Sequence, residues 1–300
     1  MDPVSVHSFL DIPYIPSDPT SYQQFDLYLP VSPSRGTVHA KDIDNAPPLI
    51  CFVHGGAWRS EDKADHAELG RNIATYTGFP LAIPNYRLSP REPTKDNYLH
   101  HPQHAQDILQ FLEFIVQEWK GPRPYDGLLP YDPKRIYLIG HSCSAHMLSS
   151  ILLDSQIEDL TPSTGLFNAV QAVIFSEGIY DIDFLLSSFP NYRDWFIEAA
   201  FGQKPSYPDV SALTMSLRPS EVFIRWLVIH SEGDTLVDVR QSAGMYEHLC
   251  KQYNSRGLRS SAYVAKNFDH LKEGHNEILK GHDYVKIAGA FIVGDSSRSI

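Results

Sequence analysis

Six short apolar runs, too rich in β-branched and aromatic residues to alternate in and out, punctuate the chain: "PPLICFVH" (47–54), "FPLAIPNY" (79–86), "KRIYLIGH" (134–141), "VQAVIFSEG" (170–178), "IRWLVIHSEGD" (224–234) and "SSAYVAKN" (260–267). A strand that is apolar along its whole length has to be covered on both faces, which is the condition of a parallel sheet sandwiched between helices. The segments between the runs supply such helices. "HAQDILQFLEFIVQEWK" (104–120) puts Ile108, Leu109, Leu112, Ile115, Val116 and Trp119 on one face at three- and four-residue spacing. Further helices are predicted over 144–154, 241–253 and 282–293. Strands alternating with helices predict an α/β fold, a mostly parallel central sheet flanked by helices and joined by right-handed crossovers. The piece "SYQQFDLYLP" (21–30) alternates more clearly and is predicted to add an antiparallel strand at the sheet edge. Stretches at 30–36 and 121–133, rich in proline and glycine, read as connections.

A chain of 300 residues, 42% hydrophobic, can bury a full core, and one domain spanning 1–300 is the expected organisation. The aromatic-rich segment 181–220 is longer than a crossover requires and is expected to form a cap or lid over a site. A net charge of -11 with no block of Lys or Arg offers no footprint for nucleic acid or an anionic membrane. The N-terminal "MDPVSVHSFLDIPYIPSDP" lacks a basic region followed by a long apolar run, so no signal peptide is expected and the cytoplasm is the expected location. Cys51, Cys143 and Cys250 have no paired spacing, which implies neither a disulfide framework nor a zinc site. His100, His101 and His104 have no Cys or carboxylate cluster beside them and are expected to be solvated or to cap a helix, so no metal and no cofactor are expected.

In an open α/β sheet the chemistry gathers beyond the carboxyl ends of the strands. After the run ending at Ile139 comes Gly140-His141-Ser142-Cys143-Ser144 and then a helix, the strand, sharp turn and helix of a nucleophile elbow, with Ser142 as the candidate nucleophile. Ser144 stands where the usual G-x-S-x-G pattern has its second glycine. A small side chain there is expected to be tolerated under strain, its hydroxyl bonding to backbone at the helix start. A second strand end, "FVHGGAWRSEDK", presents Gly55, Gly56 and Ala57 as backbone donors to an oxyanion, with the N–H of Cys143 completing the hole. Beyond the third, in "HSEGDTLVD", Asp234 is favoured over Asp238 as the partner of an imidazole, because Asp238 lies nearer a helix start, where an acid suits the dipole. The fourth, "NFDHLKEGHNEILKGHD", offers three histidines. His275, in a polar loop after Gly274, is preferred as the base over His270 and His282. Ser142, Asp234 and His275 fall in the chain order of an α/β-hydrolase triad. Cys143 is expected to be a packing residue whose useful group is its N–H.

"HGGAWRSEDK", "NYRLSP", "GHSCSAHMLSSILL", "SEGIYDIDFLL", "HSEGDTLVDVRQS" and "GHNEIL" occur in this order, and together they resemble the kynurenine formamidases (arylformamidases), most closely the fungal branch. The resemblance spans about residues 20–295. It implies an α/β-hydrolase fold and hydrolysis of N-formyl-L-kynurenine to L-kynurenine and formate, a step of tryptophan degradation toward NAD. It also implies His54, Gly55, Gly56 and Trp58 for the oxyanion loop and Ser142, Asp234 and His275 for the triad. Ser144 departs from the family, which normally has glycine there. Apolar walls for the anilide ring are expected from Trp58, Tyr180, Tyr192, Trp195 and Phe201. A small-molecule substrate is the expected partner, and a homodimer is left open. Two rival readings are a carboxylesterase of the hormone-sensitive-lipase type, which shares the His-Gly-Gly loop and an element like "NYRLSP", and a non-catalytic binding protein on a hydrolase scaffold.

Overall fold

The computed structural model describes residues 5–15, 20–31, 46–92, 94, 97–121 and 129–296; the parts of the expected connections at 32–36 and 122–128 lie outside the described residues. In chain order the strands are β1 (Ser5–Pro13), β2 (Gln24–Val31), β3 (Pro48–Val53), β4 (Leu81–Pro84), β5 (Asp132–His141), β6 (Leu153–Asp154), β7 (Val170–Ser176), β8 (Ser216–Leu217), β9 (Arg225–Ile229) and β10 (Val264–Asn267). The helices are α1 (Ala67–Thr77), α2 (Gln103–Glu113), α3 (Cys143–Leu152), α4 (Thr164–Ala169), α5 (Ile182–Ser188), α6 (Glu198–Phe201), α7 (Val239–Ser255) and α8 (His282–Ser296). Eight strands form one sheet in the order β1-β2-β4-β3-β5-β7-β9-β10, while β6 and β8 pair apart from it. Neighbours from β4 through β10 run parallel, and β2 pairs antiparallel with β1 and with β4.

Each of the six apolar runs forms a sheet strand, and the burial pattern explains why they do not alternate polar with apolar. Leu49, Cys51 and Val53 of β3 enter one core with Leu138 of β5, Phe175 of β7 and Trp226 of β9. Ile50 and Phe52 enter a second core with Ile139, Ile174 and Ile229. The first core is closed by α2, α3 and α7, and the second by α1 and α8. Both faces of every central strand are therefore dry, and each face needs its own apolar set.

Two elements depart from expectation. The strand predicted as the edge, β2, is covered by β1, which carries no buried apolar face of its own. Polar anchors hold β1 in place of a core. The N–H of Asp11 donates to Asp26 Oδ1 at 2.9 Å, and buried Lys63 Nζ lies 2.6 Å from Asp11 Oδ1 and 2.9 Å from Asp26 Oδ1. The helix α1, to which no element is assigned in the sequence, buries only Leu69, Gly70, Ile73 and Ala74, a narrow stripe in an otherwise polar segment. The parallel strands β3, β5, β7, β9 and β10 bring their carboxyl ends to one edge of the sheet, and Ser142, the Gly55 to Ala57 turn, Asp234 and His275 follow β5, β3, β9 and β10 there.

Candidate active site

Ser142 sits between β5 and α3 at φ 58° and ψ -123°, a conformation costly for any residue with a Cβ. The turn is forced by close packing on both sides. A Cβ at Gly140 would lie 2.9 Å from Leu148 Cδ1 and 3.2 Å from the Ala145 nitrogen, so glycine lets α3 fold back closely on its own strand. Ser142 N–H donates to Ser176 O at 2.9 Å, tying the turn to the end of β7. The serine is buried, with 7% of its surface exposed.

Ser144 is wholly buried, and its hydroxyl is fully bonded. Its Oγ accepts the His141 N–H at 2.7 Å and lies 2.7 Å from Val53 O and 2.8 Å from His141 O, either of which takes its proton. The hydroxyl thus bonds locally, as expected, and also bridges the serine turn to the end of β3, where the glycine turn starts.

That second turn is held by backbone shape. Gly56, Ala57 and Trp58 have φ of 89°, 51° and 57°, and Gly56 O accepts from the N–H groups of Arg59 and Ser60. A Cβ at Gly56 would fall 2.1 Å from Ser60 O, and one at Gly55 would fall 3.0 Å from Ser142 Cβ. Glycine at 55 therefore lets the turn abut the serine. The Cys143 side chain does more than fill space: Trp58 N–H donates to its Sγ at 3.3 Å, and Tyr86 OH, 3.7 Å from the same sulfur, bonds Gly55 O at 2.6 Å. Burial pushes the Cys143 thiol up to about 12, so it is a neutral brace.

The acid and base loops meet across the ends of β9 and β10. His275 Nδ1 lies 2.7 Å from Asp234 Oδ2, while Asp234 Oδ1 accepts the N–H groups of Leu236 and Val237 at 2.8 and 3.0 Å. The approach requires Gly233, where a Cβ would stand 2.1 Å from Lys272 O. It is closed by Ser231 Oγ donating to Glu273 O and by Glu232 N–H donating to Leu271 O. Burial pushes the Asp234 carboxyl up, but the hydrogen bonds it accepts, that from His275 foremost, outweigh it and leave the carboxyl well below its usual range. His141, beside Ser142, packs its ring 4.8 Å from that of His275 and bonds Asn276 Oδ1 and Ser176 Oγ through its two nitrogens. Burial holds it neutral, down to about 3. Among the hydrogen bonds of the described residues, one between Ser142 and His275 is not formed.

The remaining candidates are dispersed. Asp238 caps α7, accepting the Arg240 N–H at 3.1 Å, and His270 is exposed. His54 is buried under the glycine turn, stacked on Tyr86 with ring centroids 4.5 Å apart. Trp58 is wholly buried, its ring 4.9 Å from Phe201 and 5.6 Å from His146, and its indole N–H has no partner. Tyr180 is wholly buried against Phe175. Trp195 is 53% exposed on the 181–220 segment, and its carbonyl accepts from Arg59 of the glycine turn. The histidines expected in solvent are a correction: His104 is fully buried with Nε2 2.9 Å from Ser89 Oγ, and burial pushes it down to about 3. His101 is half-buried with both ring nitrogens out of solvent, and burial of the ring holds it well below its usual value. Two residues at the site, Tyr86 in "NYRLSP" and Glu177 in "SEGIYDIDFLL", lie inside quoted stretches, but nothing in the sequence assigns either a role. The latter's one signal is its place directly after β7, a fifth strand end.

The family model described as BD-FAE matches residues 38–249. A kynurenine formamidase of Meyerozyma guilliermondii is 27% identical over 219 residues, covering 71% of this chain and 74% of that protein. A kynurenine formamidase-like hydrolase of Fusarium equiseti is 27% identical over 263 residues, covering 79% and 80%. In structure the chain is similar to esterase B from Lactobacillus rhamnosis, with a TM-score of 0.70 at 15% identity over 98% of this chain and 88% of that one, a likeness of fold. Among the described residues no helix is long and apolar enough to cross a membrane.

Proposed function

The chain belongs to the BD-FAE family of α/β-hydrolases, and from that premise we propose that it is a serine hydrolase that converts N-formyl-L-kynurenine to L-kynurenine and formate. The observation that carries the proposal is the 2.7 Å contact of His275 Nδ1 with Asp234 Oδ2, at strand ends flanking the left-handed Ser142 turn. With its Nδ1–H given to Asp234, the imidazole keeps Nε2 as the base. Nε2 takes the Ser142 proton as Oγ attacks the formyl carbon, and Asp234 stabilises the imidazolium. The oxyanion is received by the N–H of Cys143 and by those of the Gly55 to Ala57 turn. His275 then protonates the anilide nitrogen, the C–N bond breaks and kynurenine leaves. Water, deprotonated by the same imidazole, attacks the formyl ester and releases formate, returning the proton to Ser142.

Two features support formyl as the acyl group. Gly55 abuts Ser142 so closely that little room remains on that side, and relatives named kynurenine formamidase match the chain over most of its length. On this proposal the 181–220 segment covers the anilide ring, with Trp195 at its surface, and the enzyme works in the cytoplasm on the route from tryptophan toward NAD. The test is to follow kynurenine formation by absorbance with the purified protein, alongside a short-chain aryl ester, with Ser142→Ala as blank. Ser142-dependent deformylation that outpaces ester cleavage is expected. Ester cleavage alone would move the protein to the carboxylesterases, and neither activity would favour a binding protein.

A further inference from the structure

Glu177 follows β7 with φ 51°, a left-handed conformation that a glutamate adopts only when its surroundings impose it. Its N–H donates to Ile229 O at 3.1 Å, and its Oε1 accepts the Ser231 N–H at 2.8 Å, so two bonds to the acid-loop strand lock it. The side chain is fully buried, and Oε2 has no hydrogen-bond partner as an acceptor. Oε2 lies 3.2 Å from His230 Nδ1, but that nitrogen is engaged by Ser242 Oγ at 3.0 Å and burial keeps His230 uncharged, so the pair is not ionic. Ligand atoms of Glu177, Asp234 and His275 all lie within 4.8 Å of one another. Two carboxylates cannot both stay ionised in one buried space. Asp234 holds three donors, two amides and the imidazole, while Glu177 holds one amide. The proton therefore belongs on Glu177.

We propose that Glu177 is a positioning residue of the catalytic acid: as a neutral carboxylic acid it donates its O–H to the Asp234 carboxylate, fixing that carboxylate toward His275 and keeping the pair at a single negative charge. This rests on the triad reading above. Burial first, then the hydrogen bond and charge of Asp234, push the Glu177 carboxyl up to about 10. The other titratable groups facing it are His230, Tyr180 and Tyr284, with Asp238 beyond His230, and burial pushes both tyrosines further up.

Glu177→Gln keeps a donor and removes the titration, whereas Glu177→Ala removes both. Assayed on N-formyl-L-kynurenine and a short-chain aryl ester, Glu177→Gln is expected within about threefold of wild type at pH 8. Glu177→Ala is expected to lose roughly tenfold to a hundredfold in kcat with KM within about twofold, the cost of one hydrogen bond to a charged group. The wild type should lose turnover near pH 10 and Glu177→Gln should not. Infrared difference spectra of wild type against Glu177→Gln at pH 8 serve as a readout independent of how Glu177→Ala folds, with a carboxylic-acid carbonyl band expected in the wild type alone. No such band, or an alkaline limb shared by both proteins, would overturn the proposal while an inactive Ser142→Ala leaves the triad standing. Turnover retained by Ser142→Ala would overturn both.

Discussion

The acid and base side of the site and the glycine-turn side are built by different physics. Asp234 and His275 are joined by one short charge-assisted hydrogen bond and backed by Glu177, with Gly233 letting one loop lie against the other. The turn at 54–60 has no charged bond at its centre. Its shape comes from three consecutive left-handed residues, a neutral thiol, the Tyr86 hydroxyl and the Ser144 bridge to Val53. Charge is local and tolerates few substitutes, so removing it should destroy chemistry while sparing the fold. Shape is shared by many weak contacts, so damage there should appear partly as lost stability.

The largest expected effect is on the charged side. Asp234→Asn should lower kcat about a thousandfold or more, because the amide no longer fixes the imidazole tautomer, with the melting temperature little changed. Steady-state kinetics beside a thermal melt checks both halves; a loss explained by unfolding would erase the contrast. On the other side Gly56→Ala forces a Cβ to 2.1 Å from Ser60 O at φ 89°. It should cost about a hundredfold in turnover together with roughly 2 kcal/mol of stability. Ser144→Gly removes the bridge but not the turn, and a few-fold fall in kcat with about 1 kcal/mol of destabilisation is expected. Higher turnover in that variant would mean that the bridge is incidental and that glycine makes the better elbow.

Acid should separate the two sides as well. Burial pushes His54 and His146 to about 4 and His104 and His141 to about 3, all below the unfolded value of 6.5. The unfolded chain binds protons there that the folded chain refuses, so stability is full above pH 6.5 and is lost as pH falls toward 4 and 3. Each histidine contributes up to about 1.4 kcal/mol per pH unit in that window. Three of the four lie on the glycine-turn side, so hydrogen exchange at pH 5 should rise first at residues 54–60 and 101–104; uniform exchange would contradict this.

The same contrast explains what the sequence discloses. The parallel strands are legible because double burial demands unbroken apolar runs, and the pairing of Asp234 with His275 is legible because each follows such a run. Ser142 is legible from its small-residue flanks. The edge strand β1 escapes because polar anchors through Asp11, Asp26 and Lys63 hold it and no apolar pattern marks it. His101 and His104 look like solvated residues because burial of a neutral imidazole leaves no periodic trace. Glu177 escapes because nothing in "FSEG" distinguishes a protonated carboxyl from an exposed one, and the Ser144 bridge to Val53 joins residues distant in sequence.

The central claim is that Ser142, in its strained turn, is the nucleophile served by His275 and Asp234. The most direct measurement is reaction of the folded protein with a fluorophosphonate, followed by intact-mass analysis and peptide mapping. A single adduct on Ser142, fast in the wild type and strongly slowed in His275→Ala, is the expected result. An adduct on another residue, or none while turnover persists, would contradict the assignment.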